Sequence, residues 1–164
     1  MGSACPSVTA AKAAVSARAR SREFMLDGSA TADSAIYVYP DTATSIHAFG
    51  QLTSHRTTAC LVRVLRESLG FQLAAQGATL DSLTSRALTI APVGDQHSAH
   101  LVTVHISGGG VKATAYADVI FVRVGRAVAA FSLGGVGQKF DTGLETKVVK
   151  AVADRLASDL GPGS

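Results

Sequence analysis

The residues best suited to chemistry stand together in one short segment, GDQHSAH, from Gly94 to His100. Asp95, His97 and Ser98 are residue types that form catalytic triads, and histidine with aspartate also binds metal ions. In an extended segment, however, Asp95 and His97 project to one side and His100 to the other. The sequence therefore predicts no catalytic residue and no metal site in this segment.

Histidines elsewhere do not supply the missing ligands. His105 has the same parity as His97 but lies eight residues further along the chain. At the rise of an extended strand that separation is roughly 26 Å. A metal site would need His47 or His55 from the helical part of the chain, and we do not expect one.

Cofactor motifs are also absent from the sequence. It contains no Walker, dinucleotide-binding or C-x-x-C pattern, and its 12 acidic residues leave little material for acid–base catalysis. The triplet Gly108 to Gly110 precedes a β run and not the helix that a phosphate site needs. We expect no cofactor and a non-catalytic function. A small hydrolase that uses Asp95, His97 and Ser98, although Ser98 lacks a G-x-S-x-G context, stays as the alternative.

The two cysteines, Cys5 and Cys60, leave three interpretations open. Two free thiols would be typical of a cytosolic protein, and one disulfide of an exported protein. We favour the disulfide, because Cys5 lies in a polar stretch near the terminus that pairing would anchor. In the third interpretation, Ser3-Ala4-Cys5 ends a lipobox and Cys5 is acylated.

The segment from Asp118 to Leu133 positions the rest of the chain. Two β-branched and aromatic runs flank Gly125-Arg126, and glycine first in a two-residue loop is typical of a β-hairpin. If Val124 pairs with Ala127, one face is wholly apolar and the other carries Arg123. The apolar face then consists of Ile120, Val122, Val124, Ala127, Ala129 and Phe131.

The other elements follow from periodicity and turn residues. Ala35 to Tyr39 predicts a strand ended by Pro40, and two helices follow. Strands are predicted at 86–93, 99–106 and 111–118, and Thr142-Gly-Leu-Glu145 predicts a capping box that starts the last helix. Tight turns between strands predict an α+β fold: a mostly antiparallel sheet with helices packed on one face. The expected inward positions of the last helix are Leu144, Val148, Val152, Leu156 and Leu160.

Length and composition predict one domain. The 164 residues, 47% of them hydrophobic, suffice for a single core, which we place at residues 35–160, after a partly ordered segment 1–34 and before a tail 161–164. The net charge of +3 comes from scattered residues, ten arginines and five lysines, so we expect no nucleic acid partner. The sequence has no apolar run long enough for a membrane span and no signal peptide after Met1.

The strand parities define a candidate ligand-binding face. If Ile36 and Val38 join the apolar core, Tyr37 and Tyr39 project to the opposite side, where the hairpin places Phe121 and Arg123. Such a surface could bind a small anionic or aromatic ligand, or a protein. In the alternative, the N-terminal segment covers this face and Arg123 forms an ion pair with Asp118 or Asp95. The complete candidate face consists of Tyr37, Tyr39, Thr103, His105, Phe121, Arg123 and Ser132.

Several motifs together resemble the extracellular sensor-like domains of actinobacteria. These include the C-terminal domain of the mycobacterial Ser/Thr protein kinase H type and related secreted or lipid-anchored proteins. The similarity covers about residues 35–160. It rests on five stretches, namely Ala35 to Tyr39, Ala59 to Leu61, Val93 to Asp95, Asp118 to Val128 and Val149 to Leu156.

The resemblance implies an exported α+β sensor or binding domain of the cell envelope, often disulfide-bonded, with an unknown ligand. The expected partner is a small molecule or an envelope protein, and the expected location is extracellular, either secreted or tethered to the membrane through a segment upstream. A purely structural envelope protein is an alternative that the sequence does not separate from a sensor. Unlike the kinase, this sequence has no kinase domain and no membrane span.

Overall fold

The structure, a computed structural model, describes residues 5–26 and 28–160. The predicted tail at 161–164 lies outside the described residues. Ser3 and Ala4 of the possible lipobox lie outside them as well. Within them the elements are α1 (Pro6–Ala13), β1 (Ala17–Arg20), β2 (Phe24–Leu26), β3 (Ala30–Val38), α2 (Thr42–Thr53), α3 (His55–Ala75), β4 (Ala78–Ala87), β5 (Gln96–Gly108), β6 (Val111–Val124), β7 (Ala127–Val136) and α4 (Thr142–Leu160).

The strands form one antiparallel sheet, which confirms the predicted α+β class. Its order is β1-β3-β7-β6-β5-β4, and β2 extends the outer edge by pairing with β3 beyond β1. Two-residue turns join β5 to β6 and β6 to β7, whereas residues 88–95 connect β4 to β5. The helical pair α2–α3 is the crossover that carries the chain from β3 to β4 at the far edge. The N-terminal strands belong to this sheet, and the boundary that we placed between residues 34 and 35 falls inside β3.

The central hairpin has the predicted register. Val124 pairs with Ala127 and Ile120 with Phe131, and Gly125 occupies the turn with a φ of +54°. A positive φ suits glycine because it has no Cβ to clash with the backbone. The face that carries Ile120, Val122 and Phe131 packs against α4, and we call it the α4 face.

The prediction that helices lie on one face of the sheet is wrong. Helix α4 covers the α4 face, whereas α2 and α3 cover the opposite face, which we call the α3 face. Val128 is buried under α2, and Val102 and Val104 are buried under α3. Because both faces are apolar, the alternation of aliphatic residues along a strand does not by itself tell which face is the core.

Helix α4 is rotated relative to the predicted stripe. Its buried residues are Glu145, Val149, Ala153 and Leu156, whereas Leu144 is partly exposed. The N-cap is also one residue earlier than predicted, because the Asp141 carboxylate accepts a hydrogen bond of 2.7 Å from the Leu144 N–H. This rotation turns Glu145 toward the sheet.

Helices α2 and α3 differ from expectation mainly at their ends. Asp41 caps α2, with its carboxylate 2.7 Å from the Thr44 nitrogen, and Ser54 caps α3. We expected Gly70 to end α3, because glycine commonly follows the last helical turn, but the helix continues through Gly70 to Ala75. The predicted strand at 86–93 is mostly wrong, because β4 spans Ala78–Ala87 and residues 88–95 form an irregular segment after it. Leu88, Ile90 and Val93 of that segment pack on the α4 face. Its alternating apolar residues therefore belong to the core although the segment is not a strand.

Cys5 and Cys60 form a disulfide with a Cα–Cα distance of 5.9 Å, as predicted. Cys5 precedes α1 and Cys60 lies in α3, so the bond ties the first helix to the helical layer. A sulfur in a disulfide cannot also carry a lipid, and the described Cys5 therefore does not fit the lipobox interpretation. The bond is typical of proteins from oxidising compartments. None of the helices in the described ranges is long and apolar enough to cross a membrane.

Candidate functional site

The tyrosines, the phenylalanine and the arginine of the predicted face do lie on one side of the sheet, but helices cover much of that side. Tyr37, Phe121 and Arg123 lie on the α3 face, as their register requires. Tyr39, just beyond β3, is 1% exposed and packs with Phe49 and Leu52 of α2. Burial raises the pKa of the Tyr39 phenol above its ordinary value, and proximity to Tyr37 adds to the shift. Tyr39 is thus a core residue and does not line an open surface.

Arg123 is a structural residue. It is 7% exposed, and its guanidinium donates to Gln96 Oε1 at 2.7 Å and to the Gly125 carbonyl at 2.7 Å. Its Nη1 also lies 3.1 Å from the Asp95 carboxylate, which accepts a further bond from the Gly125 N–H. The predicted ion pair of Arg123 with Asp95 is therefore confirmed, whereas Asp118 lies on the α4 face. These contacts hold the arginine side chain at the hairpin turn. The other part of that alternative, in which the N-terminal segment covers this face, is wrong for Phe24–Leu26, which pairs with β3 at the edge of the sheet and does not cover this face.

Two candidate residues lie on the wrong face. Thr103 pairs with Tyr116 and His105 with Thr114, positions that share the α4 face with Ile120. His105 is exposed there and its Nδ1 lies 3.0 Å from the Thr114 hydroxyl. The placement of Thr103 and His105 assumed that Val102 and Val104 belong to the apolar α4 face, but these valines form the core under α3. Ser132 lies on the α3 face and is exposed, as predicted.

The GDQHSAH segment does not assemble a catalytic group. His97 pairs with Val122 and faces α4, whereas Ser98 pairs with Phe121 and faces α3. Asp95 is held by Arg123 and the Gly125 N–H. The three residues therefore point away from one another. Within the described ranges no group of three or more histidine, cysteine, aspartate or glutamate side chains is placed to hold a metal ion.

An apolar cleft lies between α3 and the sheet, on the α3 face. Its cavity volume is about 400 Å³, which is within the range of small-molecule sites. Leu61 and Leu65 on its helical wall are 39% and 38% exposed, unusually open for leucines that face a sheet. Phe121, one of the predicted residues, lies on its floor. The lining consists of Leu52, Thr58, Leu61, Val62, Val64, Leu65, Ser68, Ser85, His100, Val102, Val119 and Phe121.

The cleft opens at one end into a more polar cavity of about 600 Å³. The two cavities share Thr58, Val62, Ser85 and His100, so they are continuous. Arg66 and His55 also line the polar end, and the Arg66 Nη2 donates to the Leu83 carbonyl at 2.8 Å. Among the described residues no carboxylate lines either cavity. The arrangement offers an apolar channel with hydroxyl, imidazole and guanidinium groups at its mouth.

The sequence prediction missed a buried carboxyl pair on the α4 face. Asp118 of β6 and Glu145 of α4 are both buried and hydrogen-bond to each other. Desolvation and the neighbouring Asp118 raise the pKa of Glu145 from its ordinary 4.5 to about 7. Desolvation also raises the pKa of Asp118, against the opposing effects of the Glu145 hydrogen bond, Lys139 and Arg86. The available signal was Asp118 itself, an acid with the same parity as Ile120 and Val122.

No protein-family model matches this chain, and no curated protein is similar to it.

Proposed function

We propose that this protein is an exported, non-catalytic binding domain that holds a chain-bearing amphiphile in the cleft between α3 and the sheet. The observation that carries the proposal is the cleft itself: an apolar cavity of about 400 Å³ with two partly exposed leucines on its wall. A closed core would have buried Leu61 and Leu65, because covering apolar surface contributes about 25 cal/mol per Å². A hydrocarbon chain in the cleft would cover them.

The polar end defines the preferred head group. His100, Arg66 and Ser85 offer donors there, and no described carboxylate opposes an incoming anion. An anionic oxygen can accept charge-assisted hydrogen bonds from Arg66. The Arg66 Nη2 donates to the Leu83 carbonyl, and the other guanidinium nitrogens can donate to a ligand. We therefore propose a ligand with one apolar chain and one acidic head, such as a fatty acid.

Export is the second part of the proposal. The Cys5–Cys60 disulfide supports it, because such bonds persist in oxidising compartments. The resemblance to actinobacterial extracellular sensor-like domains supports a place in the cell envelope, either secreted or anchored, and a sensor role for ligand binding. A purely structural envelope protein is the competing proposal. It predicts no ligand in the cleft, so a binding measurement separates the two.

The test is titration with cis-parinaric acid, a fatty acid whose fluorescence rises in apolar surroundings. We expect saturable binding by the wild-type protein and loss of binding in Ser68→Trp, where the indole would fill the cleft. Arg63→Trp is the matched control, because Arg63 is exposed on α3 and does not line the cleft. Binding that survives Ser68→Trp, or that Arg63→Trp removes equally, would overturn the proposed site.

The head group is tested with the alcohol of the same chain as a competitor. If the acid displaces the probe at least tenfold better than the alcohol, and Arg66→Gln abolishes this preference, the polar end recognises the carboxylate. Equal displacement by the two compounds would show that only the apolar chain is recognised.

A further inference from the structure

A second groove lies at the opposite edge of the sheet, between α1 and β1. Its cavity volume is about 470 Å³. Arg18 and Arg20 of β1 pair with Tyr37 and Ala35, so their side chains line the α3 face of the sheet edge. Lys12 of α1 completes the cationic lining, and Tyr37 contributes a partly exposed ring. The fold thus brings together basic residues that the chain separates by the turn after α1.

The cations of this groove are only partly neutralised. The Arg20 guanidinium lies 3.7 Å from the Asp33 carboxylate, and the arginine side chain is nevertheless 73% exposed. Within the described residues, neither Lys12 nor Arg18 has a carboxylate at ion-pair distance. Arg22 follows on the same edge and is also exposed. The described acids of this edge are Glu23 and Asp33, against four basic residues, so the edge keeps a positive excess.

Exposed apolar residues continue the same edge. Phe24 and Met25 of β2 are 59% and 70% exposed, and both pair with β3 directly beyond β1. Met25 shares the α3 face with Arg18, whereas Phe24 projects from the other side of the strand. A charged edge strand by itself serves to prevent strand pairing between molecules. An exposed phenylalanine and methionine on that edge favour association instead, so protection of the edge does not explain the whole surface.

We propose that this edge, the basic groove with Phe24 and Met25, docks on a bilayer surface that contains anionic phospholipids. Basic residues within a Debye length of such a surface are attracted to its head groups, and apolar side chains beside them enter the interface. Lys12, Arg18 and Arg20 would hold phosphate groups, with the Tyr37 hydroxyl as a further hydrogen-bond donor. The proposal is independent of the cleft, which lies on the far side of α2 under α3.

The test is co-sedimentation with vesicles. We expect the full chain to bind vesicles of phosphatidylcholine mixed with phosphatidylglycerol, and not vesicles of phosphatidylcholine alone. Each lost charge should weaken binding about fivefold, so Lys12→Gln/Arg18→Gln/Arg20→Gln should weaken it about a hundredfold. The control Arg63→Gln/Lys112→Gln/Lys147→Gln removes the same charge from exposed residues elsewhere, and we expect no more than a severalfold loss.

The apolar part of the edge is tested separately. Phe24→Ser/Met25→Ser should weaken vesicle binding about tenfold or more while leaving its salt dependence unchanged. Phe71→Ser is the control, because Phe71 is 81% exposed but lies on α3. Circular dichroism establishes that each variant is folded. Equal losses in the groove variant and the charge control, absence of binding by the wild type, or equal binding to neutral vesicles would each overturn the proposal.

Discussion

The two faces of the sheet use the same strands but are covered differently. On the α4 face, Ile120, Val122 and Ala129 are almost fully buried, and the small Ala153 lets α4 approach them closely. On the α3 face, α2 seals the end near Val128, whereas α3 packs mainly on β4 and leaves a cleft above Val119 and Phe121. One face is therefore closed by its helix, whereas the other keeps an apolar cavity of about 400 Å³.

The largest effect should come from the closed face. Phe131→Ala removes a ring that is 2% exposed, and we expect a loss of about 3 to 5 kcal/mol in the free energy of unfolding. Leu65→Ala in the cleft should cost less than about 1 kcal/mol, because that side chain is already partly in water. Urea denaturation of both variants measures the difference. Equal losses would mean that the cleft is as tightly packed as the α4 face.

The disulfide tests whether the helical layer needs covalent support. The bond joins residues 55 apart, for which chain entropy gives about 4 kcal/mol as the figure for an unstrained bond. We expect Cys5→Ser/Cys60→Ser to lose about 2 to 4 kcal/mol and to loosen α1 and the packing around Tyr39 on the α3 face. Denaturation followed by tyrosine absorbance measures both effects. Two free thiols in never-reduced wild-type protein would contradict the premise.

Arg123→Gln probes the hairpin turn between the two faces. The substitution removes charge-assisted bonds to Gln96, Gly125 and Asp95, and we expect a loss of about 2 kcal/mol without any effect on fatty acid binding. Arg155→Gln is the matched control, since that guanidinium forms an exposed pair with Asp159 and its loss should be below about 1 kcal/mol. A stable Arg123→Gln that no longer binds ligand would restore the ligand role that the sequence suggested.

Much of the fold could be predicted because local signals agreed with one another. The hairpin register followed from Gly125 and the flanking apolar alternation, and the Cys5–Cys60 disulfide followed from the position of Cys5 in a polar stretch near the terminus. The ends of α3 and β4 could not be predicted, because a glycine such as Gly70 stops a helix in some settings and is tolerated in others. Local patterns do not record which outcome tertiary packing selects.

The sequence placed five of the seven candidate residues on the correct face of the sheet, but it did not show that helices cover much of that face. The positions of Tyr37, Tyr39, Phe121 and Arg123 were correct, yet only Phe121 contributes to the apolar cleft. Exposure depends on where α2 and α3 cross the sheet, and periodicity within one segment carries no information about that crossing. The cleft is a gap between elements and has no motif of its own.

The smallest effect concerns the buried acid pair, and its sign depends on pH. Folding raises the pKa of Glu145 from 4.5 to about 7, so between these values the folded protein keeps a proton that the unfolded chain releases. The free energy of unfolding should therefore fall as the pH rises through this window, and the raised pKa of Asp118 acts in the same direction. Glu145→Gln removes the part of this dependence that comes from Glu145, since its amide can donate to Asp118 without a charge. We expect the variant to match the wild type near pH 4 and to exceed it by about 1 kcal/mol at pH 8.

Urea denaturation across this pH range measures the effect, and Glu67→Gln on the exposed side of α3 provides the control. The Glu67 variant should follow the wild-type pH profile, because that carboxylate is in water in both states. A Glu145→Gln variant that follows the wild-type profile would show that the carboxylate is solvated when folded. The α4 face would then be no drier than the α3 face at this point. If instead the advantage of the variant grows with pH as expected, the closed face tolerates an acid only in its protonated form.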